Sequence, residues 1–141
     1  TLEFLETEGV PVVGYETKAF PAFYSRHSGL KADVAVSAPE EVAELAQARR
    51  DLGLSAALLI CVPVPGTAAL SRREAEEAIA QATEEAEEAG VRGKDLTPFL
   101  LARIAALTDG RAEQANEALL LNNARVAAHI ARALTAAKGR V

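Results

Sequence analysis

The chain has 141 residues, of which 50% are hydrophobic and 25% are charged, which suits a single domain with its own core. Its formal net charge of -5 argues against broad binding to a nucleic-acid polymer or an anionic membrane, because both require clustered Lys and Arg. This charge does not exclude binding of a small phosphorylated ligand, since such a ligand needs only a local site. Aromatic residues make up 4% of the chain, and Trp and Met are absent, so we expect a core of Ala, Leu and Val.

The first nine residues, TLEFLETEG, indicate the second half of a helix that ends at Gly9. Apolar side chains begin at once, without the capping residue and acidic first turn that mark a helix start. We therefore expect further residues upstream of Thr1. We also expect neither a membrane span nor a secretory leader, and a cytoplasmic location. Cys61 lies in the apolar run LLICVPVP, which favours a small buried hydrophobe over a nucleophile.

Apolar and β-branched runs predict three strands, and capping patterns predict the helices between them. Ser37 to Glu40 and Ser71 to Glu74 both fit a capping box. The predicted strands cover residues 9–15, 30–36 and 54–63, and the predicted helices cover residues 39–52, 71–89, 98–107 and 112–137. This order predicts an α/β layered fold: a mostly parallel or mixed sheet flanked by helices, with a helical C-terminal portion, as part of a larger α/β/α domain.

The segment 16–29, which we call the aromatic loop, is the first candidate site region. It places Tyr24, Arg26 and His27 between Pro21 and Gly29. Arg26 is a candidate cation for an anionic ligand, as is Lys18 in the same loop. The alternative is that both are ordinary surface side chains.

A second candidate is an anion site before the helix at 98–107. Gly93, Lys94 and Thr97 precede this predicted helix, and free N–H groups at a helix start favour negative charge. Lys94 and Thr97 are therefore candidate substrate-binding residues. The alternative is that Thr97 only caps the helix, with Pro98 in its first turn, and that Lys94 is solvated.

The last predicted helix carries asparagines among apolar residues. Asn116 and Asn123 recur on one face with Leu119, Leu120, Ala127 and Ile130. An amide costs about 1 to 3 kcal/mol to bury without a partner, so each should be hydrogen-bonded. They bind either neighbouring backbone or a ligand in a polar pocket.

The sequence contains no metal motif, since its two histidines, His27 and His129, lie far apart. Two long segments carry a more specific signal: GVPVVGYETKAFPAFYSRHSG and GKDLTPFLLARIAALTDGRAEQANEALLLNNARVAAHIA. In order and spacing, they strongly resemble the C-terminal half of the pseudouridine-5'-phosphate glycosidases, also called the indigoidine synthase A-like family. The resemblance extends from Thr1 to about Ala133, and it implies that residues 1–141 are the C-terminal half of one such domain.

The resemblance implies an enzyme that reversibly cleaves the C–C glycosidic bond of pseudouridine 5'-phosphate to uracil and ribose 5-phosphate. It implies a Schiff base between a lysine and the opened ribose, a proton-donating glutamate and a divalent metal, typically Mn²⁺. These residues and the metal ligands are expected upstream of this chain, so this chain alone should be inactive. The resemblance also implies a homotrimer.

Asn116 matches the family's active-site asparagine, and Asn122 and Asn123 match its NNA segment. Asn116 is therefore the expected catalytic residue, while Asn123, Arg26, Lys94 and Thr97 are expected to bind substrate. The sequence departs from the family at Val62, where an asparagine is common, at Asp109, where a glycine is common, and at Ala112, where a capping serine is common. The alternative function is a non-catalytic α/β binding or assembly module.

Overall fold

A three-stranded parallel sheet forms one side of the fold in the computed structural model, which describes residues 2–138. Its strands are β1 (Val12–Tyr15), β2 (Val34–Val36) and β3 (Leu59–Cys61). β1 lies in the middle, and Val13 is aligned with Val34 on one side and Ile60 on the other. The parallel sheet predicted from the sequence is therefore confirmed.

All three strands are shorter than predicted, and the residues before β2 and β3 form hydrogen bonds outside the sheet. Ahead of β2, Leu30 accepts a hydrogen bond from the Phe20 N–H at 2.9 Å, and the Ala32 N–H donates to Lys18 O at 3.1 Å, so this segment pairs with the aromatic loop. Ahead of β3, the Leu54 N–H donates to Arg49 O at 2.9 Å and closes the preceding helix. An alternating or apolar run does not distinguish these local contacts from a sheet ladder.

The helices lie close to their predicted bounds. They are α1 (Leu2–Thr7), α2 (Pro39–Asp51), α3 (Arg72–Glu88), α4 (Leu96–Leu107) and α5 (Arg111–Lys138). No helix within residues 2–138 is long and apolar enough to cross a bilayer.

The two predicted capping boxes differ in outcome. At α3, Ser71 Oγ accepts a hydrogen bond from the Glu74 N–H at 3.3 Å, which is one of the two bonds of the predicted box, while the Glu74 carboxylate pairs with Arg111. At α2, the acidic partner is Glu41 and not Glu40: Glu41 Oε2 accepts from the Ser37 and Ala38 N–H groups at 2.6 and 2.9 Å. The helix begins at Pro39, as predicted, so its N-cap is Ala38 and not Ser37, and the carboxylate three residues after the N-cap is Glu41.

The start of α4 also differs from prediction. A single 3₁₀ turn, Gly93–Asp95, leads into the helix at Leu96. Thr97 is therefore already in the first turn of α4, and no side chain caps this end. The prediction that Thr97 caps the helix is wrong.

The turn between α4 and α5 is fixed by Thr108. Its Oγ1 donates to Ile104 O at 2.8 Å and accepts from the Ala112 N–H at 3.1 Å, so it satisfies both helix ends while it is itself buried. Asp109 and Gly110 have φ values of 50° and 77°, a region that glycine and aspartate tolerate better than most residues. Gly110 therefore has the positive φ expected of it.

Two hydrophobic clusters make up the core. The helical cluster contains Ala75, Ala78 and Ala82 of α3, Ile104 of α4, Ala112, Ala115 and Leu119 of α5, and Tyr24, Val64 and Leu70. The sheet cluster contains Val13, Tyr15, Val36, Val42 and Val126. Helix α5 contributes to both clusters and thereby joins them.

Candidate functional site

The order β2–β1–β3 creates a topological switch point at the carboxyl edge of the sheet. The chain leaves β1 toward β2 on one side and returns to β3 on the other side. In parallel α/β sheets, ligands bind outside the carboxyl ends of the strands at such a point. The segments that follow Tyr15 and Cys61 therefore border the most favourable position for a ligand.

A cavity of about 220 Å³ lies at this position, and we call it the switch-point cavity. Its polar lining consists of Glu16, Arg26, Asn122 and Arg125. Its remaining lining consists of Tyr15 at the end of β1 and Val62, Pro63 and Pro65 after β3. Three parts of the chain that lie far apart in sequence therefore meet here.

The aromatic loop holds Arg26 at this cavity. The Nη1 atom of Arg26 donates to Val64 O at 2.9 Å, and the neighbouring residues Tyr24 and Ser25 are buried. The Leu70 N–H donates to Tyr24 O at 2.9 Å and ties the loop to the segment before α3. Arg26 is thus a fixed cation beside the sheet.

The Asn116 side chain lines a second cavity, of about 270 Å³, between α4 and α5. Tyr24 and Glu113 line it as well, together with Leu101, Ala102, Ala105 and Ala112. Burial raises the pKa of the Tyr24 phenol, so it stays protonated at neutral pH and can donate a hydrogen bond. A phenol, a carboxylate and an amide can together bind a ligand with several hydroxyl or carbonyl groups.

Asn123 lines a third and more apolar cavity, of about 540 Å³. It is shared with Phe20 to Phe23 of the aromatic loop, with Ile60, Cys61 and Val62, and with Leu119, Val126, Ala127 and Ile130 of α5. Burial raises the pKa of the Cys61 thiol, which agrees with a hydrophobic role for this half-buried residue.

The predicted apolar face of the last helix is correct only in part, at Leu119 and Ile130. The buried residues of α5 are Ala112, Ala115, Leu119 and Val126, whereas Leu120 is 61% exposed. The three asparagines lie beside this buried face, half-buried or exposed, and need no buried partner. Asn116, Asn122 and Asn123 each line a different cavity, and each cavity also contains part of the aromatic loop.

The five candidate site residues do not share one cavity. Arg26 lies at the switch-point cavity, while Asn116 and Asn123 lie at the other two. Lys94 and Thr97 are exposed at the start of α4 and line none of these three cavities. Their roles in binding stay predictions.

The sequence did not single out Glu16, Arg125 and Glu113 as site residues. Arg125 lies three residues after Asn122, and Glu113 three residues before Asn116, so helical spacing alone places each beside an asparagine. Arg26 and Glu16, by contrast, join Arg125 only through the strand order, which no local pattern reveals.

The described residues do not supply a metal site. Within residues 2–138, no group of three or more His, Cys, Asp or Glu side chains is placed to hold an ion. This part of the chain therefore does not fit Mn²⁺ by itself, and the expectation that the ligands lie outside the chain stays a proposal.

Two named proteins are similar to this chain in sequence. The pseudouridine-5'-phosphate glycosidase of Caldanaerobacter subterraneus subsp. tengcongensis is 52% identical over 131 residues, which cover 93% of this chain and 43% of that protein. The protein of the same name from Solibacter usitatus is 47% identical over 131 residues, or 93% of this chain and 44% of that protein.

Two solved structures match in fold. A prealnumycin C-glycosynthase in complex with ribulose 5-phosphate has a TM-score of 0.89 and 30% identity, and the match covers 100% of this chain and 46% of that one. An indigoidine synthase A-like protein from Thermotoga maritima has a TM-score of 0.80 and 35% identity, covering 96% and 44%. The α/β fold expected from the sequence is thereby confirmed.

The chain spans less than half the length of these relatives. The family model described as "Indigoidine synthase A like protein" matches residues 1–133, almost the same range as the resemblance read from the two long segments. The chain therefore belongs to the indigoidine synthase A-like family.

Proposed function

We propose that the chain is the C-terminal portion of an enzyme that reversibly cleaves pseudouridine 5'-phosphate to uracil and ribose 5-phosphate. The observation that carries this proposal is the 52% identity, over 93% of the chain, to a protein named pseudouridine-5'-phosphate glycosidase. The similar fold of a C-glycosynthase in complex with ribulose 5-phosphate adds support, since C-glycoside synthesis also joins a sugar to carbon. The closer sequence match favours the glycosidase.

The chemistry needs a proton donor to the base and an electron donor at the sugar carbon, because a carbon atom of a base is a poor leaving group. We assign the electron donor to a lysine that precedes this chain and whose nitrogen is bonded to C1 of the opened ribose. A glutamate from the same missing portion would protonate the uracil carbon as the C–C bond breaks, so the electron pair of that bond stays with uracil. The lone pair of the lysine nitrogen then forms the C=N bond of a Schiff base, which water hydrolyses to release ribose 5-phosphate.

The proposed task of Asn116 is to hold the substrate. Its amide can donate to a carbonyl oxygen of the base and accept from a ribose hydroxyl, and Tyr24 and Glu113 line the same cavity. We propose Arg26, Asn123, Lys94 and Thr97 as further substrate contacts. Lys94 and Thr97 would reach substrate only in the complete enzyme, since they lie away from the other three residues.

Mn²⁺, a homotrimer and a cytoplasmic location are part of the same proposal. We assign the metal ligands to the missing portion, so no step of the reaction is assigned to the metal here. Chelator treatment of the complete enzyme, followed by addition of Mn²⁺, tests the metal requirement. Light scattering of the complete enzyme tests the trimer.

Reconstitution tests the proposed function directly. The 141-residue chain and an N-terminal half from a close relative should be assayed separately and together for uracil release. We expect turnover only from the combination. Borohydride trapping with ribose 5-phosphate should label the N-terminal half, and a covalent adduct on this chain alone would contradict the assignment of the lysine.

A variant of Asn116 distinguishes the enzyme from a non-catalytic binding or assembly module. Asn116→Ala in the reconstituted enzyme should lower kcat/KM by about 100-fold, the loss expected when a polar contact to the transition state is removed. Gln114→Ala, at an exposed position of the same helix, is the control and should leave turnover unchanged. Unchanged turnover in Asn116→Ala would favour the module.

A further inference from the structure

A further polar cavity lies between α2 and α5, apart from the three cavities described above. Its volume is about 460 Å³, within the range of about 300–1,000 Å³ that is usual for small-molecule sites. We call it the helix-pair cavity, and its lining consists of Pro39, Glu40, His129, Arg132, Ala133 and Ala136. It shares no lining residue with the cavities that contain the candidate substrate contacts. The helix-pair cavity is therefore a separate place for a ligand.

Buried packing holds the two walls of this cavity. Val42, one turn after Pro39 in α2, is buried, and so is Val126, one turn before His129 in α5. Both valines belong to the sheet cluster. The two helices therefore keep a set spacing where the polar side chains of the cavity begin.

Opposite charges line the helix-pair cavity without pairing with each other. Glu40 comes from α2, and Arg132 comes from α5 together with His129, one turn before it. Among the ion pairs of residues 2–138, none joins Glu40 to either of the other two side chains. Opposite charges attract each other, so a ligand that bridges Glu40 and Arg132 would be stabilised at both ends.

The start of α2 does not itself favour an anion in this cavity. The Glu41 carboxylate already accepts from the Ser37 and Ala38 N–H groups at 2.6 and 2.9 Å. These hydrogen bonds lower the pKa of Glu41, so the helix start carries its own negative charge at neutral pH. Arg132 is therefore the group that favours an anion, and Glu40 is the group that favours a cation.

This lining limits the chemistry of the ligand. A ligand with a single charge is attracted by one of the two ionised groups and repelled by the other, whereas a zwitterion is attracted by both. The Pro39 ring and the methyl groups of Ala133 and Ala136 offer an apolar surface to the rest of the ligand. An α-amino acid with an apolar side chain has all three parts.

We propose that the helix-pair cavity binds a zwitterionic α-amino acid with an apolar side chain. The ligand's carboxylate accepts hydrogen bonds from Arg132, its ammonium group donates to Glu40, and its side chain lies against Ala133 and Ala136. The site lies outside the cavities assigned to the substrate, so it does not depend on the proposed function.

NMR titration of the isotope-labelled 141-residue chain tests this proposal without an activity assay. The probes are L-leucine, leucinamide, which lacks the carboxylate, and 4-methylpentanoate, which lacks the ammonium group. We expect L-leucine to bind with a Kd of about 1 mM, because water competes for exposed charges. Each analogue should bind about fivefold more weakly, since it loses one ion pair. The amide shifts should be confined to the start of α2 and the second half of α5.

Two variants test the charged contacts, and each has a matched control. Glu40→Gln should weaken L-leucine binding by about fivefold, whereas Glu44→Gln, one turn further along α2 and exposed, should change it by less than about twofold. Arg132→Gln and its control Arg125→Gln, two turns earlier in α5, should differ in the same way. All four side chains are exposed, so the variants should keep the fold, which their amide spectra check.

Crossing variants with analogues makes the test sharper, because each contact can be lost only once. Glu40→Gln should not weaken the binding of 4-methylpentanoate, which has no ammonium group. Arg132→Gln should not weaken the binding of leucinamide, which has no carboxylate. If each variant weakens all three probes equally, the assigned orientation is wrong and the proposal fails.

Further outcomes would also overturn the site. Equal affinity for the three probes, or equal losses in a variant and its control, would show that the charges do not select a zwitterion. The titration is then repeated in the presence of the N-terminal half of a close relative. Loss of L-leucine binding on reconstitution would show that the complete protein covers the cavity. A reconstituted enzyme that binds L-leucine here but releases no uracil would contradict the proposed function and leave this site standing.

Discussion

The two hydrophobic clusters are packed with different types of side chain. The helical cluster is built largely from alanines, such as Ala78, Ala82 and Ala115, where α3, α4 and α5 meet. The sheet cluster is built largely from valines, such as Val13 and Val126, between the sheet, α2 and α5. Alanine allows close approach of helices, whereas β-branched side chains fill the wider space above a pleated sheet. The helical cluster should therefore be the more sensitive to added volume, and the sheet cluster to lost volume.

The switch-point cavity lies at the boundary of these two clusters. Tyr15, which lines the cavity, belongs to the sheet cluster, while Arg26 binds the carbonyl of Val64 in the helical cluster. Burial, followed by the nearby charge of Glu16, raises the pKa of the Tyr15 phenol, so this group is neutral beside the arginines. Substitutions in either cluster should therefore alter the shape of the switch-point cavity.

Added volume in the helical cluster should have the largest effect. Ala82 is 0% exposed on α3, so Ala82→Leu has no space for its side chain and should lower the free energy of unfolding by about 3 kcal/mol. Urea unfolding followed by circular dichroism measures the loss. Ala80→Leu, at an exposed position of the same helix, should change stability by less than about 0.5 kcal/mol. Equal stability of the two variants would show that the alanines are loosely packed.

Lost volume in the sheet cluster should have the next largest effect. Val13 is 0% exposed in the central strand, and Val13→Ala should lower the free energy of unfolding by about 2 kcal/mol through lost burial and a residual cavity. Val34→Ala in β2 is the matched control, because Val34 is 38% exposed and should lose much less. A control loss as large as that of Val13→Ala would show that the edge strand β2 is packed as tightly as the central strand.

The turn that leads into the shared helix should contribute less than either cluster. Thr108→Val keeps the shape of the side chain but removes both hydrogen bonds, to Ile104 O and from the Ala112 N–H. We expect a loss of about 1.5 kcal/mol in the free energy of unfolding. Thr135→Val removes one exposed bond to Ala131 O and should be nearly neutral. Thermal unfolding compares the two, and a neutral Thr108→Val would contradict the capping role.

The smallest effect should come from the polar rim of the helical cluster and should depend on pH. A hydrogen bond from Arg103, whose Nη2 lies 2.9 Å from Glu85 Oε1, lowers the pKa of Glu85 below its ordinary value of 4.5. The native state therefore binds fewer protons, so this contribution to stability is present above pH 4.5 and is lost as the pH falls through the lowered pKa.

Glu85→Gln should accordingly flatten the loss of stability between neutral and acidic pH, as measured by urea unfolding at a series of pH values. Glu84→Gln removes a neighbouring exposed charge of the same helix and serves as the control. If the two variants have the same pH profile, the pair of Arg103 and Glu85 does not stabilise the fold.

The sequence predicted the layered fold and nearly all helix bounds, because alternating strands and helices, capping serines and Gly110 act locally. It placed the capping acid of α2 at Glu40 instead of Glu41, since either residue fits a pattern whose N-cap can shift by one position. It also included Leu120 in the buried face of α5 and missed Ala115, because alanines give a weak apolar signal. Small side chains obscure the face on which they are buried.

The sequence predicted only part of the candidate site. Arg26 was identified from its aromatic surroundings, and Asn116 and Asn123 from amides among apolar residues and from the family resemblance. Arg125 was missed because its importance depends on the position of β3 beside β1, a contact between distant segments. The catalytic and binding roles of Asn116, Asn123, Arg26, Lys94 and Thr97 remain predictions for the experiments above.

Helix α5 runs unbroken from Arg111 to Lys138, so Asn116, Asn122 and Asn123 have fixed angles to one another around a single axis. Adding or deleting one residue between Gly110 and Asn116 would turn all three by about 100° and withdraw them together from three separate cavities. The number of residues in this first turn is thus as strictly constrained as the identity of any one asparagine.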